Sequence, residues 1–233
     1  MGMLVAAAVC PHPPLMVPEL AGNAAQELDE LREACGKAIR ALLGAEPDLV
    51  AVVGGADRPG RYGADASGTL APWGADVRVG GGESVLPLSL TIGRWLLERE
   101  GFDSPESFHA VAHDADPAVC LDLGQALASG LRRVALLVMG DGSARLTEKS
   151  PGYLHPGARP YDDMLAGALA GADVETLAAL DPAEAAELWV AGRAAFQVLA
   201  GATEEGSAMT GRLLYRAEPY GVSYAVALWE TGA

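Results

Sequence analysis

Apolar positions along this chain fall into two rhythms. Short unbroken apolar runs at residues 3–9, 48–53 and 133–139 each stop at prolines or glycines, the pattern of strands buried on both faces. Elsewhere the spacing is helical. Leu28, Leu31, Cys35, Ala38, Ile39, Leu42 and Leu43 fall on one helix face, with Asn23 as a candidate cap and Gly44 as the stop. Residues 86–100 read as a helix closed by Gly101. Asp116 followed by Pro117 opens another, since Asp satisfies free N–H groups and Pro fits a first turn. Further helices are expected at 161–170 and 182–199. Residues 107–112 alternate like a strand, and 75–79 read as a short one. Residues 212–217 and 222–229 flank Glu218-Pro219-Tyr220-Gly221 and read as a terminal hairpin. Residues 57–73 and 140–160 read as long loops, which in compact domains are often functional or mobile.

Strands alternating with helices imply an α/β fold. The expectation is one domain over residues 1–233, with a mostly parallel central sheet, helices on both faces and a C-terminal antiparallel hairpin. Ligands bind such sheets outside the carboxyl ends of the strands. Residues 10–14, 54–58 and 140–145 are expected to converge there.

Composition narrows the function classes. The chain has 233 residues, half of them apolar, enough for a sizeable core. A net charge of −15 argues against a nucleic-acid groove, which needs a basic patch. No apolar run approaches the roughly 18 residues of a membrane span, and the N-terminus lacks signal-peptide features. Three cysteines without metal-type spacing fit a reducing, cytoplasmic setting.

The most pointed chemical feature is His12 in Cys10-Pro11-His12-Pro13-Pro14. Flanking prolines stiffen the backbone and lack N–H groups, which suits a ligand or acid–base group of fixed orientation. A buried histidine bonded to a carbonyl is the alternative. In Gly140-Asp141-Gly142-Ser143-Ala144-Arg145, Asp141 reads either as a ligand or general base, or simply as a turn residue. Gly80-Gly81-Gly82 lacks phosphate-loop spacing and reads as a turn. His109 and His113 would lie about 13 Å apart along one strand, too far to share a metal, and read as incidental. His155 reads as a solvated loop residue, and Glu184 and Glu187 as a solvated helix face. Neither a Gly-x-Ser-x-Gly elbow nor a His-Glu-x-x-His motif is present.

The run Pro11-His12-Pro13-Pro14-Leu15-Met16-Val17-Pro18-Glu19 resembles the opening of class III extradiol ring-cleaving dioxygenases, the LigB-type family of the protocatechuate 4,5-dioxygenase β chain. Among these it is most similar to an actinobacterial dioxygenase-like branch. The resemblance implies a LigB-like extradiol dioxygenase fold over nearly the whole chain. It also implies an iron(II) site of two histidines and a glutamate open to oxygen and a catechol. His12 matches the first ligand and Glu187, or else Glu184, the carboxylate. The second ligand is expected within 53–56, where no histidine stands, and the catalytic histidine at Ala144. The substitutes that remain are Asp141 and Ser143 as catalytic groups. Pro13, Gly54, Asp57 and Ala144 remain as substrate-binding positions.

Three functions follow as expectations. One is an oxidoreductase acting on a catechol-type aromatic with Fe(2+) or another divalent metal and an incomplete ligand set. Another is an inactive relative that binds a small molecule or serves as a scaffold, with no cofactor. The third is a metal-assisted hydrolase built from His12, Asp57, Asp141 and His155. A small aromatic ligand and a homo-oligomer are the implied partners, with no nucleic acid and no membrane.

Overall fold

The computed structural model describes residues 3–203 and 208–232. Its strands are β1 (Met3–Cys10), β2 (Leu49–Ala56), β3 (Gly60–Gly63), β4 (Gly68–Thr69), β5 (Arg78–Val79), β6 (Ser107–Ala112), β7 (Arg133–Met139), β8 (Met209–Ala217) and β9 (Tyr224–Thr231). Its helices are α1 (Pro18–Ala21), α2 (Asp29–Gly44), α3 (Leu88–Arg99), α4 (Pro117–Ala128), α5 (Ala158–Gly171), α6 (Val174–Ala178), α7 (Pro182–Glu187) and α8 (Arg193–Ala202).

Seven strands form one sheet in the order β3-β6-β2-β7-β1-β9-β8. The four central strands β6, β2, β7 and β1 are parallel. The hairpin β8–β9 joins antiparallel beside β1, and β3 joins antiparallel beside β6. The central strands are apolar throughout because helices bury both faces. On one side α2 and α3 pack over Ala6, Ala8, Val50, Val52 and Leu137. On the other, α4, α5, α6 and α8 pack over Ala7, Val9, Val53, Leu136 and Val138. Trp229 of β9 is fully buried, and its indole N–H donates to the Leu169 carbonyl at 2.8 Å, tying the hairpin to α5.

The α/β class, the central parallel strands and the terminal hairpin match the expectation. Asp116 caps α4 as its sequence implies, accepting the Ala118 N–H at 2.8 Å. The structure departs from the sequence pattern in three places. Residues 57–73 are not one loop, because they contain β3, β4 and a 3-10 turn at Ala71–Trp73. Asn23 does not cap α2, since Gly22–Leu28 forms a 3-10 turn and the α-helix begins at Asp29. The helix expected over 182–199 is broken into α7 and α8 between 188 and 192, and α6 precedes it. That break shapes the candidate site.

Candidate functional site

The carboxyl ends of β1, β2, β7 and β6 open on one edge of the sheet, where the three expected segments meet. Backbone bonds stitch them together. Gly140 N–H donates to the Cys10 carbonyl, and Gly192 N–H to the Asp141 carbonyl, both at 2.9 Å. The Asp141 carboxylate accepts the His12 backbone N–H at 2.8 Å. Asp141 therefore fixes the turn that carries His12. The His12 side chain is buried, with Nδ1 3.6 Å from Asp141 Oδ1, too long for a hydrogen bond. Among the described residues that nitrogen has no hydrogen-bond partner. Pro13 is buried in the same turn, its carbonyl accepting the Met16 N–H at 2.9 Å.

Ser143 is fully buried. Its hydroxyl donates to the Leu188 carbonyl at 2.6 Å and accepts the Arg145 N–H at 3.1 Å. Its own N–H goes to Asp162 at 3.0 Å. These bonds hold the 140–145 turn against the break between α7 and α8 and leave Ser143 no free face for catalysis. Burial raises the Asp162 carboxyl above its usual range, against the lowering effect of its bonds to Ser223 and Ser143.

His113 is a site residue that spacing alone does not single out. β6 ends at Ala112, so His113 turns away from the strand and into the site. A side chain at Gly55 would collide with its ring, at 2.7 Å from Cε1 and 2.8 Å from Nδ1. Gly54 is covered on its own side by Ser89, whose hydroxyl donates to the Gly55 carbonyl at 2.7 Å. Residues 53–56 hold no histidine in this chain, and the space beside Gly55 is taken by the imidazole of His113, one residue past the end of β6. Partial burial lowers the His113 pKa first, and His12 and Arg193 lower it further. Asp57 and the Ala191 carbonyl oppose them. His12 and His113 thus lie close enough to feel one another's charge, with exposed Asp57 nearby.

Arg193, at the start of α8, holds this corner in place. It is 1% exposed and donates to the carbonyls of His113 at 2.6 Å and Ala115 at 2.7 Å, and to Gln197 Oε1 at 2.8 Å.

Beside His113 a cleft of 680 Å³ opens between the end of β6 and α7, walled by Ala144, Ala183, Ala186, Trp189 and Val190. That volume suits a small organic ligand, and the walls are apolar with few polar groups, as in most small-molecule sites. Trp189 has φ +55° and follows α7, with its N–H bonded to Ala186 and that of Val190 to Ala185. This is a helix stop that ordinarily takes glycine. A bulky residue there is strained, and such strain gathers at ligand-binding positions. Trp189 is half exposed and lines the cleft.

Glu187 does not join His12 in a ligand set. Its carboxylate pairs with His155 Nε2 at 3.1 Å, and its carbonyl accepts from Arg145 at 2.8 Å. Glu184 N–H is the capping contact of Asp181 at the other end of α7. Among the described residues no three His, Cys, Asp or Glu side chains are grouped so as to hold a metal ion. The two-histidine, one-carboxylate iron set therefore does not fit these side chains, and neither does the four-residue hydrolase set. The unpartnered Nδ1 of His12 retains metal-ligand character.

The fold is α/β, with an apolar cleft at the strand carboxyl ends. No family model matches the chain, and no curated protein matches it. Among solved structures it is similar to the uncharacterized protein JW3007 from Escherichia coli K12, with a TM-score of 0.60 and 13% identity. The match covers 97% of this chain and 99% of that one. Likeness at that identity shows the fold alone. Among the described residues no helix is long and apolar enough to cross a membrane.

Proposed function

We propose that this chain is a small-molecule-binding relative of class III extradiol dioxygenases, with a LigB-like fold. In this reading its cleft takes a planar phenolic molecule without the iron set of those enzymes. The carrying observation is the cleft itself: apolar walls of alanine, valine and Trp189, with His113 and Asp114 as the polar lining groups. A flat ring fits against the indole, and offset aromatic pairs add about 0.5–1.5 kcal/mol beyond area burial. His113, its pKa lowered, is neutral at pH 7 and accepts a hydrogen bond from a phenolic hydroxyl. The motif around His12 supports the family relationship, and diversion of Glu187 to His155 supports binding without iron.

The orphan Nδ1 of His12 favours a second reading, an iron-dependent ring-cleaving enzyme whose remaining ligands assemble only with the metal. One experiment separates the two. Protein purified in chelator is titrated with catechol while Trp fluorescence and heat are recorded, and a second portion is loaded anaerobically with Fe(II). The binding reading predicts saturable catechol binding by the chelated protein, weakened at least about fivefold by His113→Ala. Stoichiometric retention of Fe(II) with catechol-dependent oxygen uptake, and no binding in chelator, would overturn it in favour of the enzyme.

A further inference from the structure

A second polar site lies at the other end of the sheet. The face of β6 on the α4 side carries Ser107, His109 and Val111 in alternation. Val111 is core, as are Ala51 and Val53 of β2, the register partners of Ser107 and His109. Ser107 and His109 occupy positions where the same face would ordinarily be apolar. Each is 6% exposed, and they bond to each other, Ser107 Oγ to His109 Nε2, at 2.9 Å. Polar groups at core-facing strand positions carry a desolvation cost that needs a compensating contact.

The sheet register supplies the next element. Arg61 of the edge strand β3 stands directly opposite His109 in the antiparallel pair, so the two side chains share a face. Among the described residues Arg61 makes no ion pair within 4.0 Å, whereas Arg132 nearby is only loosely paired with Glu106 at 3.4 Å. Beyond the end of α4 these groups line a groove of 610 Å³, whose other wall includes Leu123 and Leu127. Two guanidiniums against one carboxylate leave a single positive charge in excess, on a chain whose net charge is −15. Burial, followed by Arg61, lowers His109 to a pKa of about 4, so the imidazole is neutral at pH 7 and adds no charge.

We infer that this groove is a binding site for a small monocarboxylate with an apolar body. The carboxylate would sit on Arg61, with Ser107–His109 as neutral hydrogen-bonding partners, and the apolar body would lie against the leucines of α4. Guanidinium–carboxylate pairs are charge-assisted and directional, and the single excess charge matches one carboxylate better than a dianionic phosphate. The groove lies at the amino ends of β2, β6 and β7, away from the cleft at their carboxyl ends, so its ligand is independent of the one proposed there.

The test uses 3-methylbutanoate, an aliphatic probe that avoids the aromatic cleft, with 3-methylbutanamide as its neutral counterpart and inorganic phosphate as the alternative anion. The full chain is titrated at pH 7 while the ring signals of its four histidines are followed by NMR. The expected result is a saturable shift of the His109 signal by the carboxylate, with His113 unmoved and the amide at least about tenfold weaker. Arg61→Gln is expected to weaken the carboxylate by about tenfold or more, and Ser107→Ala by a smaller factor. Arg61 is exposed, so its variant folds. No saturable shift, equal response to acid and amide, tighter binding of phosphate, or an undiminished response in Arg61→Gln would each overturn the inference.

Discussion

At the scale of single residues, two histidines four positions apart have opposite surroundings. His109 is buried beside Arg61, while His113 stands at the mouth of the cleft. With its pKa at about 4 against an ordinary 6.5, His109 favours the folded state while neutral. That contribution is fully present above pH 6.5 and is lost as pH falls through about 4. It is on the order of 3 kcal/mol. His109→Gln should therefore flatten the acid limb of the stability–pH curve between pH 6.5 and 4, as measured by urea denaturation. Trp189 gives a second prediction at this scale. Trp189→Gly relieves a left-handed backbone, so the unfolding free energy should hold or rise, by up to about 1 kcal/mol. Catechol binding should fall at least about fivefold. Loss of stability without loss of binding would show that the indole serves packing alone.

Among the secondary elements, Arg193 joins α8 to the end of β6. Arg193→Met leaves the carbonyls of His113 and Ala115 without their donor and should cost about 2–4 kcal/mol in urea denaturation. The cleft ligand should weaken even where the variant remains folded, because His113 loses its anchor. The elements that sequence pattern reveals are those whose burial is local to their own run. β1, β2, β6 and β7 are unbroken or alternating apolar segments ended by turn residues. β3 is not legible in this way, because Gly60-Arg61-Tyr62-Gly63 is a short edge strand that exists through its pairing with β6. The break between α7 and α8 is equally hidden. Apolar spacing continues across 182–199, and what ends α7 is the left-handed turn at Trp189 with Gly192 packed under the Asp141 carbonyl.

The candidate site is partly legible for the same reason. His12 and Asp141 follow strands that the sequence marks clearly, and they meet as strand order requires. His113 escapes a spacing rule, because that rule places it in one strand with His109, whereas β6 ends one residue before it. The signal that could find it is position: a histidine leading into Asp114 and Asp116-Pro117 at a strand's carboxyl end lies where ligands bind. Glu187 depends on a helix that the fold interrupts, and its partner His155 comes from the 140–157 loop, which no periodicity connects to it.

For the whole molecule, helices close both faces of one sheet, and all three cysteines lie beneath them. Cys10, Cys35 and Cys120 are free and fully buried, and burial pushes the Cys35 and Cys120 thiols up. Thiol-reactive dye should label native protein only as fast as the chain opens and label all three at once in denaturant. Rapid labelling of one thiol in native protein would reveal a locally open layer, most directly above Cys10 under the site.

The proposed function has a phenolic molecule bound in the cleft at the strand carboxyl ends through His113, without a metal. Its most direct test is the His113 ring signal in chelated protein as catechol is added at pH 7. A saturable shift is expected at His113, with His109 unmoved and catechol binding weakened at least about fivefold in His113→Ala. A His113 signal that stays fixed until Fe(II) is supplied would contradict it.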